Sequence, residues 1–585
     1  MIKHSISYED LTGGLNNVDT INRINSSTRR TESPDIMNIE YFELGGIKSM
    51  DGNTQIGDTQ SSKIVGGCEY RKGNDLYLII ATFNGEVKIY NPVTDKFDFI
   101  YKFSHQSERV SFVNMNNGIV ATNGIDDLIF YEKNRRTLLS GTISTTANSK
   151  IVTGTSTKFT TELRPGDGVL INNILYFVDT VESDTNLTLR EEVPEEYSSI
   201  SYYIGEVSEC NAYLVNEEDT NVNTPIRGRA IQYYKGRLWV GGDNGLFYSQ
   251  VGMYNGWDIK YDAGVLYSIY NDSSEIQALG LYSDYLMIHK KYSSYLLTIV
   301  DVGGTISTSP YSNITCNSQE SWISANLKYY VYSREHKAIF PLGSRTIFND
   351  KYVGDEISTK VHNIFDRIRD NDTDKIFSLN LPRKRWLLFY LPLIDNAGSG
   401  NVLIYDIITK SWLFRKVPQV VTIAFNYNTE VYIGTDDGKV LKEFSGKTFD
   451  GEVINSYYRS PWFNWGDGYT QSFSEFAIEL ASDYNNMFYI RSYKDGVTKY
   501  EDRIIDSEDL LGDGLVWDGI INNTNNETNW DNDEWVSSEI RDLRMVLPNN
   551  VFSNFQIEIG TNTLGQSFAI YGYSFRRVEF EEVPW

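Results

Sequence analysis

The sequence predicts an all-β protein: a β-propeller with a small inserted β domain and a C-terminal β domain. Two observations predict this class. A hairpin pattern recurs along the chain, and the 585 residues include 41 tyrosines and 28 phenylalanines. Such aromatic residues favour the half-buried surface of a pleated sheet. Helical periodicity is scarce, and residues 361–369 are the one short helix expected.

The recurring unit is a short apolar run, a tight Asn-Gly or Asp-Gly turn, and a second apolar run. Asn and Gly tolerate the positive φ angles of type I′ turns, so this pattern strongly indicates a hairpin. Copies of it turn at Asn84-Gly85, Asn123-Gly124, Asn244-Gly245 and Asp437-Gly438. The first two turns lie about 40 residues apart, which is the length of one four-stranded propeller blade.

Two further segments, Val87–Phe97 and Val402–Trp412, match each other. Each contains a strand, a turn near Asn/Asp-x-x-Thr, and an aromatic residue that opens the next strand. Such repeats are typical of propeller blades. Because the repeats are degenerate, they do not fix the number of blades, and a series of β-sandwiches is the alternative fold.

Changes in residue composition and in the hairpin pattern along the chain predict five segments. The Gly- and Pro-punctuated stretch 13–52 suggests an extended arm that closes the propeller or clasps a neighbouring subunit. The predicted segments are an N-terminal arm leading into the propeller (1–60), the first blades (61–141), a small β-sandwich or barrel inserted between blades (142–204), the remaining blades (205–450), and a C-terminal β domain or platform (451–585).

Charge limits the possible functions. The net charge is −25, from 78 acidic and 53 basic residues, and this disfavours sequence-specific binding to nucleic acid. It is compatible with DNA sliding past a non-adhesive wall, and loops that face such a lumen are expected to be negative. A simpler explanation is that acidity keeps a large protein soluble.

Cysteine usage and hydropathy indicate a soluble protein made in a reducing cytoplasm. Cys68, Cys210 and Cys316 lie far apart, so neither a zinc knuckle nor a disulfide framework is expected. The first eleven residues lack the apolar stretch of a signal peptide. The longest apolar run, 386–394, is too short to span a bilayer.

Two segments partly match motifs for metal or phosphate binding, but each lacks residues that the motif requires. Asp370–Asp374 has the spacing that opens a calcium loop, but Lys375 and Leu381 occupy the positions that require Gly and Glu. Gly446–Thr448 is similar to the end of a P-loop, but Leu441 stands where a glycine is needed.

Catalytic motifs are also lacking in the sequence. The run Trp530–Trp535 pairs carboxylates with aromatic rings, as a sugar-binding or glycosidase cleft would, although an exposed charged loop is the simpler interpretation. The histidines are scattered at positions 4, 105, 289, 336 and 362. We therefore predict no catalytic, cofactor-binding or metal-binding residues, no cofactor, and no enzymatic activity.

A set of short motifs follows in order along the chain: Gly13–Asn16, Glu32–Asp35, Met37-Asn38, Gly45–Lys48 and Asp51-Gly52, then Arg237–Gly242, Leu246–Ser249, Trp257 and Tyr329–Arg334. In content and order these motifs resemble the tail nozzle, or tail tubular B, family of short-tailed bacteriophages. Departures from the family pattern are Ile36, Met37, Ser49-Met50 and Glu335–Lys337.

This resemblance implies a structural virion protein of the tail, made in the host cytoplasm and without stable membrane insertion. Copies of the chain would form a ring, commonly a hexamer, that extends the portal–adaptor channel and retains and conducts the viral DNA without sequence-specific binding. Its partners would be the portal adaptor or other tail rings, and tail fibres or a needle. The alternative functions are a propeller-type, glycan-binding adhesin of the tail and an enzyme on a propeller scaffold.

Overall fold

A computed structural model describes residues 4–19, 30–42, 45–210, 213–214, 224–243, 245–300, 304–345, 350–394, 400–465, 469–481, 488–494, 497–505, 540–545 and 551–582. Strands dominate these residues. The described helices are the α-helical turns Phe159–Glu162 and His362–Phe365 and the 3-10 segments Ile259–Tyr261, Thr359–Val361 and Asp370–Lys375. None of them has the length and apolarity needed to cross a membrane.

The helix expected at 361–369 is therefore present but shorter than predicted. Its α-helical part ends at Phe365, and Ile368 already forms an isolated antiparallel bridge with Leu393. The chain thus leaves the helical path before the apolar pattern ends.

Four-stranded antiparallel sheets form a closed ring of seven in the described part of the chain. The innermost strand of each sheet contacts that of the next, and the last contacts the first. Apolar side chains fill the space between neighbours: Ile423 and Phe425 of the last sheet pack against Ile64 and Ile80 of the first. This arrangement is a seven-bladed β-propeller, which confirms the predicted fold class.

The blades are numbered in chain order and listed from the innermost strand outward. They are blade 1 (Ile64–Lys72, Asp75–Thr82, Glu86–Asn91, Lys96–Lys102), blade 2 (Ser111–Met115, Gly118–Thr122, Leu128–Tyr131, Val207–Cys210), blade 3 (Ala230–Tyr234, Arg237–Gly242, Gly245–Tyr248, Gly264–Leu266), blade 4 (Ile276–Tyr282, Tyr285–Lys290, Ser294–Ile299, Ile306–Ser312), blade 5 (Trp322–Ala325, Lys328–Ser333, Ala338–Arg345, Asp350–Val353), blade 6 (Phe377–Leu381, Trp386–Leu391, Gly400–Asp406, Ser411–Val417) and blade 7 (Val421–Tyr427, Glu430–Thr435, Val440–Glu443, Asn53–Ile56).

The predicted hairpins are all present, and each joins the second and third strands of its blade, in blades 1, 2, 3 and 7. In blade 1 the Thr82 hydroxyl donates to Asn84 Oδ1 at 2.5 Å, and Gly85 adopts a φ of 90°. In blade 7 Thr435 donates in the same way to Asp437 Oδ1. A buried threonine thus fixes the turn whose positive φ requires glycine. Asn244, in the turn of blade 3, lies outside the described residues.

The two matched segments also occupy equivalent places, the hairpins between the third and fourth strands of blades 1 and 6. Asn91 Oδ1 accepts from the backbone N–H of Val93, and Asp406 Oδ1 accepts from those of Ile408 and Thr409. An Asx side chain therefore caps the turn in both copies.

Blade 7 is closed by the start of the chain. Its outermost strand, Asn53–Ile56, pairs antiparallel with Val440–Glu443. Of the two roles considered for the N-terminal arm, the structure shows that it closes the propeller of its own chain. A strand from one end of the chain thereby joins the first and last blades.

A buried ion pair lies beside this closure. Arg415 Nε donates to Glu443 Oε2 at 2.8 Å, and neither side chain is exposed. Arg415 also donates to the backbone carbonyls of Asp51 and Gly52 at 2.8 and 3.0 Å, and Asn53 Nδ2 donates to Glu443 Oε1 at 3.0 Å. The pair thus binds the arm to blades 6 and 7 at once.

The inserted domain interrupts blade 2 and does not lie between blades. The third and fourth strands of that blade are register partners at Tyr131 and Val207, so the insertion leaves and returns at adjacent points. It forms an eight-stranded sheet around its own apolar core. Its strands are Thr137–Leu138, Thr142–Thr145, Ser149–Thr155, Gly168–Ile171, Ile174–Ser183, Asn186–Val193, Tyr197–Ile200 and Tyr202–Ile204.

The C-terminal domain is a pair of sheets built from both ends of the chain. The five-stranded sheet has the order Asp35–Met37, Ser456–Arg459, Phe555–Thr561, Phe488–Lys494, Val497–Ile505. The eight-stranded sheet consists of His4–Tyr8, Ile39–Tyr41, Ile47–Ser49, Tyr469–Ser472, Glu475–Ala481, Ile540–Met545, Val551–Phe552 and Ala569–Glu582.

An apolar core lies between these two sheets and continues into blades 5 to 7. Aromatic rings dominate it: Phe555 of the five-stranded sheet meets Phe575 of the other sheet at 5.9 Å between ring centroids. The arm therefore supplies strands both to the propeller and to the C-terminal domain. Two short pairs complete the described strands, Gly14–Leu15 with Glu32–Ser33 and Tyr213–Leu214 with Thr224–Pro225.

Candidate functional site

The outer face of the five-stranded sheet carries an alternating row of charges. In register across the strands lie Asp35, Arg459, Glu558 and Arg491. Opposite charges on directly facing residues stabilise a sheet. Arg459 therefore lies between two carboxylates, and Arg491 lies beside Glu558.

Strand alternation explains why this face is polar. Ile557 and Ile559 point into the core, so Gln556, Glu558 and Gly560 point outward. The same period places Tyr457 and Arg459 on the outer face of one neighbouring strand, and Tyr489, Arg491 and Tyr493 on that of the other. A cleft of about 320 Å³ lies on this face, with two exposed asparagines at its rim. Its lining residues are Asn455, Tyr457, Arg459, Tyr489, Arg491, Tyr493, Glu558 and Asn562.

Glu558 is the centre of the cleft, and its side chain is only 2% exposed. Its Oε1 accepts from the Tyr489 hydroxyl at 3.1 Å and from Arg491 Nη1 at 2.9 Å. Its Oε2 accepts from the Tyr493 hydroxyl at 3.1 Å, and from Arg459 Nε and Nη2 at 3.0 and 2.6 Å. Both carboxylate oxygens are therefore occupied, and four surrounding side chains are held in fixed positions.

The protonation of the two acidic groups follows from these contacts. Burial opposes ionisation of Glu558, but hydrogen bonds from Arg459, Arg491 and Tyr493, together with the charge of Arg459, hold its pKa below the usual value. Burial raises the pKa of Asp35, although the positive charge of Arg459 and a hydrogen bond from Tyr457 both act to lower it. Glu558 has no unoccupied oxygen to transfer a proton, and Asp35 is not among the residues that line the cleft. The arrangement suits binding rather than acid–base catalysis.

A second feature concerns the central axis of the propeller. The segment before blade 5 contacts four other blades: Gln319 Nε2 donates to the carbonyls of Ile231 in blade 3 and Leu279 in blade 4. Glu320 Oε1 accepts from the Ser111 hydroxyl of blade 2, and its carbonyl accepts from the N–H of Ser378 in blade 6. A segment that bonds to inner strands on opposite sides of the ring lies across the axis. The segment Gln319-Glu320 thus crosses the axis of its own propeller.

The sequence motifs that failed as binding sites have structural roles here. Asp370–Lys375 forms a 3-10 segment in which Lys375 pairs with Asp372 at 2.7 Å. The carbonyl of Gly446 accepts from the N–H of Gly52, so this segment holds the N-terminal arm. Trp530–Trp535 lies outside the described residues. Within the described ranges, no cluster of three or more His, Cys, Asp or Glu residues could hold a metal ion.

Among the histidines, His289 is fully buried in blade 4. Its Nδ1 lies 2.9 Å from the Ser294 hydroxyl and its Nε2 lies 3.1 Å from the Tyr329 hydroxyl. The ring also stacks on Tyr329, with 5.5 Å between centroids. Burial lowers the pKa of His289 to about 3, so the imidazole is neutral and ties blade 4 to blade 5.

We expect this histidine to make stability depend on pH. The folded pKa lies below the unfolded value of about 6.5, so the unfolded chain binds the extra proton first and stability falls below pH 6.5. Lowering the pH from about 6.5 to 4.5 should remove about 2–3 kcal/mol through this group alone. The measurement is urea denaturation of wild type and His289→Gln across this range; the difference between them should shrink as the pH falls. His336→Gln, at an exposed position, is the control, and parallel curves for all three proteins would refute the assignment.

The N-terminal residues that carry the family resemblance lie where arm, propeller and C-terminal domain meet, whereas the later matching segments lie in blades 3 and 5. Asn38, at a φ of 53°, donates from Nδ2 to the Asn455 carbonyl at 2.8 Å and accepts at Oδ1 from the Lys416 N–H. The Asn16 amide donates to the buried Glu32 carboxylate at 2.6 Å. These motif residues therefore build the joint between the three parts.

Comparison with known proteins adds little about function. Neither a protein-family model nor a curated protein sequence matches this chain. Among solved structures, the chain is similar to virginiamycin B lyase from Staphylococcus aureus, with 11% identity and a TM-score of 0.34. The match covers 68% of this chain and 98% of the lyase. At this level it gives no argument about activity, and the fold class stands on the ring of blades described above.

The sequence alone does not predict the cleft. The alternation of Tyr489, Arg491 and Tyr493 along one strand was a local signal that one face is polar and aromatic. Their common partner, Glu558, lies 67 residues from Arg491, and nothing local indicates that pairing.

Proposed function

We propose that this chain is a structural, non-catalytic subunit of a virus tail, in which copies of it form a nozzle ring that retains and conducts DNA. The observation that supports the proposal most is the ordered run of motif residues in the N-terminal arm. In this fold those residues build the joint between arm, propeller and C-terminal domain. A rigid joint of this kind suits a protein that must keep its shape in a particle under load.

In this proposal the DNA path is the lumen of the ring and not the axis of each propeller. Residues Ser318–Glu320 close the axis, so a DNA strand could not follow it without displacing a hydrogen-bonded segment. The net charge of −25 favours a wall to which phosphates do not adhere. The partners would be the portal adaptor or another tail ring on one side, and fibres or a needle on the other.

The test is negative-stain electron microscopy of the purified chain, alone and mixed with the adaptor of its virus. We expect rings with a central hole, and a higher-resolution map should show a lumen of net negative charge. Particles that remain monomeric even with the adaptor would overturn the proposal and favour the adhesin. A ring with a basic lumen would contradict the charge argument.

A further inference from the structure

The cleft on the five-stranded sheet combines aromatic rings with a fixed set of hydrogen-bonding groups. Tyr457, Tyr489 and Tyr493 surround Glu558, and the Arg491 guanidinium lies 3.9 Å from the centroid of the Tyr489 ring. Tyrosine offers an apolar ring face together with a polar hydroxyl. A volume of about 320 Å³ falls within the range of about 300–1,000 Å³ for small-molecule sites.

Gly560 leaves space between two of the tyrosines that line this cleft. It lies in register between Tyr457 and Tyr489 on the two neighbouring strands. A Cβ atom at this position would lie 2.7 Å from the Tyr489 hydroxyl oxygen and 2.8 Å from the Tyr457 Cβ. The absence of a side chain therefore lets the two tyrosines approach each other across the central strand.

The charges of the cleft balance. Arg459 and Arg491 are offset by Glu558 and by Asp35, which pairs with Arg459 at 2.9 Å. Because the positive groups are already neutralised, the cleft has no excess charge to attract an anion such as phosphate. Its hydroxyl, guanidinium and amide groups also make it too polar for an apolar ligand.

These properties fit an uncharged ligand with many hydroxyl groups and an apolar ring face. We propose that this cleft is a binding site for a neutral saccharide, with a sugar ring against the tyrosines and its hydroxyls bonded to the arginines and the rim asparagines. Glu558 acts as the positioning residue, since it holds the two arginines and two of the tyrosines. The proposal does not rest on the assembly of a ring.

The experiment is a glycan array probed with the purified full chain, followed by calorimetry with the strongest neutral oligosaccharide. We expect binding to neutral glycans, and an affinity that changes less than about twofold between about 50 and 500 mM NaCl. Tyr489→Ala and Tyr493→Ala should each weaken binding by about tenfold or more, whereas Tyr493→Phe, which keeps the ring, should cost much less. Tyr261→Ala, at a 62% exposed position on the propeller, is the matched control and should bind normally.

Melting curves of each variant separate loss of binding from loss of fold. Tyr493 is only half-buried, so its alanine variant keeps the test valid if Tyr489→Ala unfolds. Three results would each overturn the proposal: no neutral glycan bound at millimolar concentration, binding confined to sialylated or sulfated glycans, or binding unaffected by Tyr493→Ala. None of these results bears on ring formation, which electron microscopy reports separately.

Discussion

Replacing Arg415 with methionine should lower the free energy of unfolding by about 3–5 kcal/mol. The substitution leaves the Glu443 carboxylate buried without its cation, and it removes the donors to the carbonyls of Asp51 and Gly52. An uncompensated buried charge is among the largest single-residue penalties in proteins. Urea denaturation of the full chain measures the loss.

The matched control is Arg383→Met. Arg383 also pairs with a glutamate, Glu430 at 2.7 Å, but its side chain is 53% exposed. We expect a loss below about 1 kcal/mol, because exposed pairs contribute little. The double variant Arg415→Met/Glu443→Leu should recover part of the stability, since no charge is then buried alone. A loss for Arg415→Met no larger than that for Arg383→Met would show that the pair does not hold the closure.

Deleting residues 1–56 should prevent folding altogether. Blade 7 would keep three strands, and the edge of Val440–Glu443 would be exposed to other chains. The C-terminal sheets would lose His4–Tyr8, Asp35–Met37, Ile39–Tyr41 and Ile47–Ser49 at the same time. We expect insoluble protein or a soluble aggregate by size-exclusion chromatography.

A larger deletion elsewhere provides the contrast. Replacing residues 137–204 with a short Gly-Ser linker removes the inserted domain, but Tyr131 and Val207 remain register partners in blade 2. Because the two ends lie side by side, we expect a soluble protein that retains the propeller.

A truncated 57–585 chain that elutes as a monomer and melts like wild type would contradict the role given to the arm.

Local patterns in the sequence were sufficient to predict the hairpins and the fold class. Thr82, Asn84 and Gly85 act within four residues, so the turn that they form can be recognised without knowledge of the rest of the fold. The number of blades could not be derived, since the repeats are degenerate and the insertion interrupts blade 2. Pairings between distant residues could not be predicted either, because Arg415, Glu443 and Asn53 come together only after the ring has closed.

The same limit applies to the cleft. Its aromatic and basic residues alternate visibly along Phe488–Lys494, but the balance of charge depends on Asp35 and Arg459, which lie 424 positions apart. Which strands become neighbours in this sheet is decided by the arrival of the N-terminal arm, whose strand Asp35–Met37 pairs with Ser456–Arg459. Whether Trp530–Trp535 forms a sugar-binding cluster or an exposed charged loop stays a prediction, because these residues lie outside those described.

The closure of blade 7 has a consequence for synthesis on the ribosome. Asn53 leaves the ribosome early, yet its partner Glu443 follows 390 residues later. At about 5–20 residues per second, the arm waits roughly 20–80 s before its partner exists. During that interval the nascent chain is an open ring with unpaired edges at both ends, and it needs protection from neighbouring nascent chains. A mutation that slows translation between blades should therefore raise aggregation without changing the stability of the finished protein.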